Sequence, residues 1–538
     1  MIVRLGAGTG GLVRWGPACA CVRVCVCAIH PDIVVKMSLV QSYLEKHQLA
    51  SILEGMVNTT VKKRVDEPLA YMADYLASLA PSRVVGVSFA SRVARNGDEL
   101  YEVCVTTAKG RYFSSVSQWA SKEDVELVVA AAATSWVGMD PKDQARCDAA
   151  LCGAIGGGDV DEGKGKRAAR YAMSTCLCRA GAGEAKVSVA EHVAKLVAMK
   201  SDSSAAEEIN REQGQFPWIP VPSVAVFEQP GNALPFAGVR ILATGAATLD
   251  EAMELCTHVH RALSDVLAAD KACAPWVTKG PGSGGGFLPV GAAPMEMAKF
   301  LNMIQQAVKS AGAEGKIVAA LDVGGQDLLV PAPPPPSEDA PPMPHSYNLH
   351  ALGDAKAKPN PKTIEQFSSM LEELSNTFSV VHLGEPFASA DRGERQASAL
   401  LAEKRECLAQ VAYSALSVED AEAVAVACNS LMIPLDELPS VEDALALARW
   451  ARNNGRTMAI TCTPHEGQDR DAFPVDFAAG IRAGQLYVGP THGDFIGLWN
   501  GLRALSVSLG DEAEFAGEMA TIQKKLGDLD AVEAVGDA

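Results

Sequence analysis

The chain has 538 residues, of which 48% are hydrophobic, 6% aromatic and 21% charged. This length gives room for two to four domains of ~100–200 residues and for a large apolar core, which excludes a disordered polymer. Lys and Arg total 47 against 65 Asp and Glu, a net charge of −18. Such a charge repels phosphate backbones and anionic lipid, and no apolar run reaches the ~18–20 residues of a membrane span. We therefore expect a soluble protein that binds neither nucleic acid nor membrane.

Residues 1–36 form an unusual leader, for which we expect disorder. Four of the 14 cysteines lie between Cys19 and Cys27, alternating with Val, Arg and Ala. Paired Cys-x-Cys sequences are found in soft-metal sites, but the same pattern would result from an untranslated repeat read as protein, with Met37 as the natural start. A secretory signal is not favoured, because Arg14 and Arg23 interrupt the apolar segment that it would need. Because the other cysteines show no disulfide-like spacing, we expect a reducing, cytoplasmic compartment.

Two amphipathic stretches predict a helical hairpin over residues 37–81. The first helix should end near Lys62 and Lys63, since cations suit a helix C-terminus. Asp66 is expected to cap the second helix, with Pro68 in its first turn. The apolar stripes include the residues expected to make a dimerisation or docking contact: Leu49, Ile52, Leu53, Met56, Leu69, Met72 and Leu76. Two short helices cannot bury both stripes alone, so the hairpin packs on the rest of the chain or on another molecule.

The hairpin resembles the RII-type dimerisation and docking domain. The matching positions are Tyr43, Leu44, Asn58, Val61, Arg64 and Pro68. This resemblance implies a homodimer or hetero-oligomer built as a four-helix unit, which binds the amphipathic anchoring helix of a partner protein. Such domains are frequent in ciliary and flagellar complexes, so the resemblance also implies a cilium or flagellum axoneme as one location.

The rest of the chain predicts two further domains and a tail. Short alternating strands after Pro81, followed by helices, indicate an α+β domain with a β-meander over residues 82–215. Over 216–515, apolar strands alternate with amphipathic helices, which is typical of a β/α barrel with its active site at the C-terminal strand ends. One of the predicted strands is AVAVAC, residues 423–428. We interpret the Pro-rich run 331–345 as an exposed insertion, or alternatively as a ligand for a Pro-binding partner. Residues 516–538 form an acidic C-terminal tail.

Residues from about 83 to 515 resemble the enolase family. The matching segments include GMDPKDQARCDAAL, IPVP, ILATGAATLDEAMELC, GGF, KIVAALDVGGQDL, VVHLGEPF and LWNGLRAL. The resemblance implies an α/β fold class: an enolase-type β/α barrel preceded by an α+β capping domain.

The resemblance also implies a magnesium site, which this chain keeps only in part. Enolase chemistry removes a proton next to a carboxylate and expels water, so it needs a base, an acid and divalent cations. Asp322 keeps the first metal position. At the second position stands Gly384, with Glu385 displaced by one residue, and the third falls on Asn429 and its neighbours. We therefore assign no cofactor to this chain. Magnesium is expected only if the protein retains enolase activity.

The acid and base positions are altered as well. Gly238 and Gly284 stand where the family has glutamates, and Tyr487 stands where it has a substrate-contacting lysine. No lysine occurs between Lys404 and Lys524, the stretch that should hold the base. His465 and Glu466 correspond to the family's phosphate clamp. The family's mobile lid corresponds to residues 117–121, with Trp119 at a glycine position.

Losing base, acid, lid and metal ligands together should abolish dehydration, because one lost acid or base alone costs ~10²–10⁴ in rate. Our leading hypothesis is a catalytically inactive enolase-fold pseudoenzyme that serves as a docked structural or scaffold component. Its vestigial pocket would contain Gly238, Gly284, Asn429, His465, Glu466 and Tyr487, with Asp322 and Glu385 as a weak metal site. The alternative is an active, magnesium-dependent phosphopyruvate hydratase of glycolysis, which converts 2-phosphoglycerate to phosphoenolpyruvate while tethered by its hairpin. A third possibility is a barrel that pairs with an active enolase.

Overall fold

The computed structural model describes residues 40–93, 97–156, 163–198, 217–228, 236–278, 285–289, 297–330, 345–349, 361–389, 410–425, 427–462, 471–490, 495–510 and 514–521. The predictions for the leader 1–36, for nearly all of the Pro-rich run 331–345 and for most of the tail 516–538 lie outside these residues. Contacts divide the chain into two units, Met1–Pro81 and Ser82–Ala538. None of the helices in the described ranges is long and apolar enough to cross a membrane.

The first unit contains an antiparallel pair of helices, Leu49–Lys63 and Pro68–Leu79, preceded by a short helix at 40–46. The first helix ends at the predicted lysines, and the backbone N–H of Arg64 caps it from a left-handed conformation. The expectation that Asp66 caps the second helix is wrong. Its N-cap residue is Glu67, whose side chain makes no capping hydrogen bond, and Pro68 supplies the helical φ in the first turn.

The second unit begins with a three-stranded antiparallel sheet in the order β1-β2-β3, formed by Val84–Val93, Glu99–Thr107 and Arg111–Ser115. Four helices follow it: Lys122–Trp136, Gln144–Ile155, Lys164–Ala185 and Val189–Ala198. The first and third of these pack on the sheet, and the other two pack on neighbouring helices. The sheet and the helices share a core that includes Val103, Val105 and the fully buried Trp136. A capping box at Ser121 begins the first helix, which the sequence analysis missed.

A closed barrel of eight strands follows, in the order β11-β12-β13-β14-β15-β5-β6-β7. The eight strands are β5 Val221–Glu228, β6 Gly238–Leu242, β7 Val318–Asp322, β11 Val380–Gly384, β12 Gln410–Ser414, β13 Ser430–Pro434, β14 Thr457–Thr461 and β15 Gln485–Val488. Only β6 is antiparallel to its neighbours. The structure confirms the mixed α/β class and the barrel.

Helices surround the barrel, and short strands lie at its margins. The helices are Leu249–Ala269, Ala274–Thr278, Met297–Ser310, Gly325–Leu328, Ile364–Phe378, Val418–Val424, Val441–Asn453, Phe473–Gly480 and Ile496–Leu509, followed by the 3-10 helix Gly517–Ala520. Strands β8 Leu329–Val330, β9 Ser346–Asn348 and β10 Pro361–Lys362 form a small antiparallel sheet. Strands β4 Trp218–Ile219 and β16 Glu514–Phe515 pair at the base of the barrel.

The prediction that AVAVAC is a strand is wrong. Its first residues belong to the helix Val418–Val424, which begins where the Ser417 side chain accepts a hydrogen bond from the backbone of Asp420. The strands on either side of it are β12 and β13, which the sequence analysis missed. Alanine favours a helix once a serine cap starts it. This preference outweighs the strand preference of the alternating valines.

Buried hydrogen bonds join the α+β domain to the barrel. Asp148 Oδ2 accepts hydrogen bonds from Gln144 Nε2, from Ser174 Oγ and from the backbone N–H of Glu442, at 2.9, 2.9 and 3.2 Å. Ser174 Oγ also lies 2.9 Å from the backbone nitrogen of Val441, which donates to it. The free N–H groups at the start of the helix Val441–Asn453 are therefore capped by side chains nearly 300 residues away.

Candidate functional site

The mouth of the barrel is defined by the C-terminal ends of its parallel strands. Asp322 is the last residue of β7, and the register of the sheet places Gly384 on one side of it and Gly238 on the other. A Cβ atom on Gly384 would lie 2.6 Å from Asp322 Oδ1, and one on Gly238 would lie 3.6 Å from Oδ2. Both glycine positions therefore face the Asp322 carboxylate. Neither can supply it with a side chain.

Asp322 is held by Arg240, a residue that the sequence analysis did not select. Both terminal nitrogens of the Arg240 guanidinium donate to the two carboxylate oxygens, a bidentate ion pair. The Nε–H donates to Ser223 Oγ at 3.1 Å. The guanidinium carbon lies 3.3 Å from the ring centroid of Tyr487, a cation–π contact. Arg240 is thus fixed from three directions inside the barrel.

A chain of hydrogen bonds continues from Tyr487 toward the base of the barrel. The Tyr487 hydroxyl lies 3.0 Å from His382 Nε2, and His382 Nδ1 lies 3.2 Å from Gln410 Oε1. Gln410 Nε2 donates to the carbonyl of Ala520 at 3.0 Å, which fixes the orientation of the Gln410 amide. Its Oε1 must accept, so His382 carries its proton on Nδ1 and accepts the Tyr487 O–H at Nε2.

Burial, together with the nearby Arg240 charge, lowers the pKa of His382 to about 3. This histidine is completely buried and stays neutral at physiological pH. Burial also raises the pKa of the Tyr487 phenol, although Arg240 opposes that rise, so Tyr487 stays protonated. The series of contacting side chains from Asp322 to Gln410 therefore contains one cation, Arg240, and one anion, Asp322.

Apolar side chains, several of them alanine, form two further layers of the barrel interior. Ala412, Met432 and Ala459 form one layer against Tyr487. A second layer at the base is formed by Val221, Leu242, Ala320, Ala516 and Ala520. The interior is therefore a packed core, with space for the long Arg240 and Tyr487 side chains because the neighbouring strands contribute alanine.

The other predicted site residues have different fates. Glu385 follows β11 with a positive φ of 47°, and its Oε1 accepts a hydrogen bond from the backbone of Ser414 at 2.6 Å. Asn429 precedes β13 at the opposite end of the barrel, where its Oδ1 accepts from the backbone of Val411. It therefore does not belong with Asp322, because the segment AVAVAC before it is not a strand and Asn429 precedes a strand instead of following one. Gly284, His465 and Glu466 lie outside the described residues.

The described residues do not fit a magnesium ion. Magnesium needs near-octahedral oxygen ligands, and both oxygens of Asp322 already accept from Arg240. Within the described ranges, no group of three or more His, Cys, Asp or Glu side chains is arranged to hold a metal. None of the eight barrel strands contains a lysine. The eight strands therefore supply no lysine base. Their one other carboxylate is Glu228, the last residue of β5, whose Oε1 accepts a hydrogen bond from the backbone N–H of Gly286 at 2.8 Å.

Comparison with known proteins agrees with this architecture. Residues 217–524 match the family described as "Enolase, C-terminal TIM barrel domain". The chain belongs to the enolase family. It is 24% identical to cytosolic enolase 3 of Arabidopsis thaliana over 512 residues, which cover 89% of this chain and 98% of that protein. It is 26% identical to an enolase of Eimeria tenella, with 73% and 84% covered, and 25% identical to an enolase of Solanum lycopersicum, with 71% and 80% covered.

Within this enolase-family barrel, one sequence signal could have revealed the unpredicted residues. Arg240 lies in GVRIL and His382 in VVHLG, two otherwise apolar strands. A charged or polar residue inside a buried strand must have a partner, since an unpaired buried charge is costly. The sequence could thus have indicated that Arg240 and His382 are polar residues inside the barrel. It could not have indicated which residues they contact.

Proposed function

We propose that this protein is an enolase-fold pseudoenzyme that acts as a docked structural component of a larger assembly. One observation carries the proposal: the retained metal aspartate, Asp322, is paired with Arg240, and the flanking positions Gly238 and Gly384 have no side chains. Enolate chemistry needs concentrated positive charge beside the substrate and a base to remove its proton. The charge of Arg240 is neutralised by its ion pair with Asp322, and no barrel strand contains a lysine.

The helical hairpin supports a docking role. Of its seven predicted contact residues, Met56 is buried, Leu49, Ile52 and Met72 are half-buried, and Leu53, Leu69 and Leu76 are exposed. Leu53 and Leu69 have exposed fractions of 48% and 78%. Since two isolated short helices cannot bury such a surface, a second copy of the hairpin is the occupant we propose.

The dimer formed in this way would present a groove to an amphipathic anchoring helix of a partner protein. This step, and the ciliary or flagellar location, rest on the hairpin's resemblance to RII-type domains, whereas a cytoplasmic location rests on the cysteine spacing. The acidic net charge of −18 is compatible with such a role and unfavourable to nucleic-acid binding.

One experiment with two measurements tests the proposal on the purified full chain. Dehydration of 2-phosphoglycerate at millimolar Mg²⁺ is followed by ultraviolet absorbance, with the Solanum lycopersicum enolase as the active control. We expect no turnover above a heat-denatured blank. Turnover within roughly a thousandfold of the control, abolished by Asp322→Asn, would establish the hydratase instead.

The second measurement is the mass of the protein by analytical ultracentrifugation. Ile52→Glu combined with Leu53→Glu should lower the mass of the assembly, because two carboxylates would have to be buried in the contact between hairpins. Glu54→Gln, an exposed change on the same helix, is the matched control and should leave the mass unchanged. Equal masses for the double variant and the control would refute docking through the hairpin.

A further inference from the structure

Arg240 has an unusual position for a charged residue. It is the only Lys or Arg in the eight barrel strands, and its side chain is 9% exposed. Its partner Asp322 is 22% exposed at the strand end. A partly buried carboxylate beside a buried guanidinium needs that counter-charge, and removing one member of such a pair leaves the other uncompensated.

We propose that the Arg240 guanidinium is a permanent internal cation that replaces a bound divalent metal as the counter-ion of Asp322, so that the barrel folds and closes without metal. The inference goes beyond the proposed function, because it concerns the charge balance of the barrel and holds whether or not the hairpin docks.

The neighbouring glycines belong to the same arrangement. A Cβ atom on Gly384 would approach Asp322 Oδ1 to 2.6 Å, and Gly238 would place one 3.6 Å from Oδ2. Carboxylate side chains at these positions would crowd Asp322 and add negative charge that one guanidinium cannot neutralise. Glycine at both flanking positions therefore adds no further charge beside the pair of Arg240 and Asp322.

The surrounding residues also keep the guanidinium in place. Ser223 Oγ accepts its Nε–H, and the Tyr487 ring stacks beneath it. The Tyr487 hydroxyl is committed to His382, whose ring nitrogens both have partners. A planar guanidinium held by a fork of two hydrogen bonds and by a ring is directional, which a mobile lysine could not reproduce.

A double-mutant cycle tests the inference on the full chain. Arg240→Met and Asp322→Asn, alone and combined, are compared by urea unfolding in EDTA. Each single variant should increase the ratio of unfolded to folded protein on the order of a hundredfold or more, and the double variant should recover part of this loss. The exposed pair Arg503–Asp250, at 62% and 77% exposure, is the matched control. Its Arg503→Met and Asp250→Asn cycle should show coupling of only a few-fold at most.

The metal dependence of the wild-type chain completes the test. Its melting temperature should be the same in EDTA and in millimolar Mg²⁺. A saturable stabilisation by Mg²⁺ that Asp322→Asn removes would overturn the inference, as would coupling no larger than that of the exposed pair. Where Arg240→Met does not fold, Arg240→Lys keeps the charge without the fork and should be intermediate in stability and still insensitive to Mg²⁺. Stabilisation by Mg²⁺ without turnover would overturn the inference alone, and equal masses of the hairpin variants would overturn docking alone, so the two failures can be distinguished.

Discussion

The buried histidine of the barrel predicts a specific loss of stability in mild acid. His382 has a pKa of about 3 in the folded protein, lowered by burial and by the Arg240 charge, against about 6.5 in an unfolded chain. As the pH falls below about 6.5, the unfolded state binds a proton that the folded state does not. The stability contributed by neutral His382 is therefore present above this pH and is lost progressively between pH ~6.5 and ~3.

The magnitude follows from these two values. Between pH 7 and pH 5, the proton taken up at His382 on unfolding lowers the free energy of unfolding by about 2 kcal/mol. The groups that surround the ring are Arg240, the Tyr487 hydroxyl and the Gln410 amide, and none of them is an acid that could compensate its charge. Protonation in the folded state would also place a second cation beside Arg240.

Urea unfolding at several pH values measures this effect. His382→Gln removes the titrating group, so the variant should lose about 2 kcal/mol less than the wild type between pH 7 and pH 5, whatever its stability at pH 7. His258→Gln, an exposed change on the helix Leu249–Ala269, is the control and should keep the wild-type pH dependence. Parallel pH profiles for the wild type and His382→Gln would refute the reasoning.

Two further predictions concern packing at the mouth and between the domains. Gly384→Ala should destabilise the protein by about 1–3 kcal/mol, because the new Cβ would displace the Asp322 carboxylate from Arg240, whereas Gly86→Ala, with no atom within 4 Å, should cost less than about 1 kcal/mol in the same denaturation assay. Asp148→Ala should cost about 2–4 kcal/mol, because three donors lose their buried acceptor. The helix-cap variant Asp143→Ala should cost only ~1 kcal/mol. Equal losses of stability in the two aspartate variants would contradict a stabilising role for the buried hydrogen bonds between the α+β domain and the barrel.

The sequence predicted the barrel because its long helices carry strong periodicity and explicit boundaries. The helices Leu249–Ala269 and Val441–Asn453, for example, each begin at a Thr or Ser cap. β12 and β13 were missed because such short apolar strands cannot be distinguished from helical segments by periodicity alone. That error displaced Asn429 by a whole element, from the mouth to the opposite end of the barrel.

The sequence shows which residue types stand at the candidate site positions, but not which side chains they contact in the fold. Lysines absent from a stretch, and glycines at expected carboxylate positions, can be counted in the sequence. The pairing of Arg240 with Asp322 depends on β6 running antiparallel to β7, which brings residues 82 positions apart side by side. No local pattern encodes that neighbour, and the chain from Tyr487 to Gln410 likewise arises only when β15, β11 and β12 lie around one axis.

The base of the barrel constrains how the chain can be synthesised and folded. Closure requires β15 to pair with β5, and beneath it the Trp218 indole donates to the carbonyl of Ala483, 265 residues later. Gln410 obtains its acceptor from Ala520, a further 110 residues beyond it. During translation the α+β domain can fold early. The edge of β5 that pairs with β15 stays without its hydrogen-bonding partner until almost the whole chain has left the ribosome. Chains that terminate before Gln485 would keep that edge exposed, and we expect nascent or truncated forms of this protein to depend on chaperones far more than its finished barrel does.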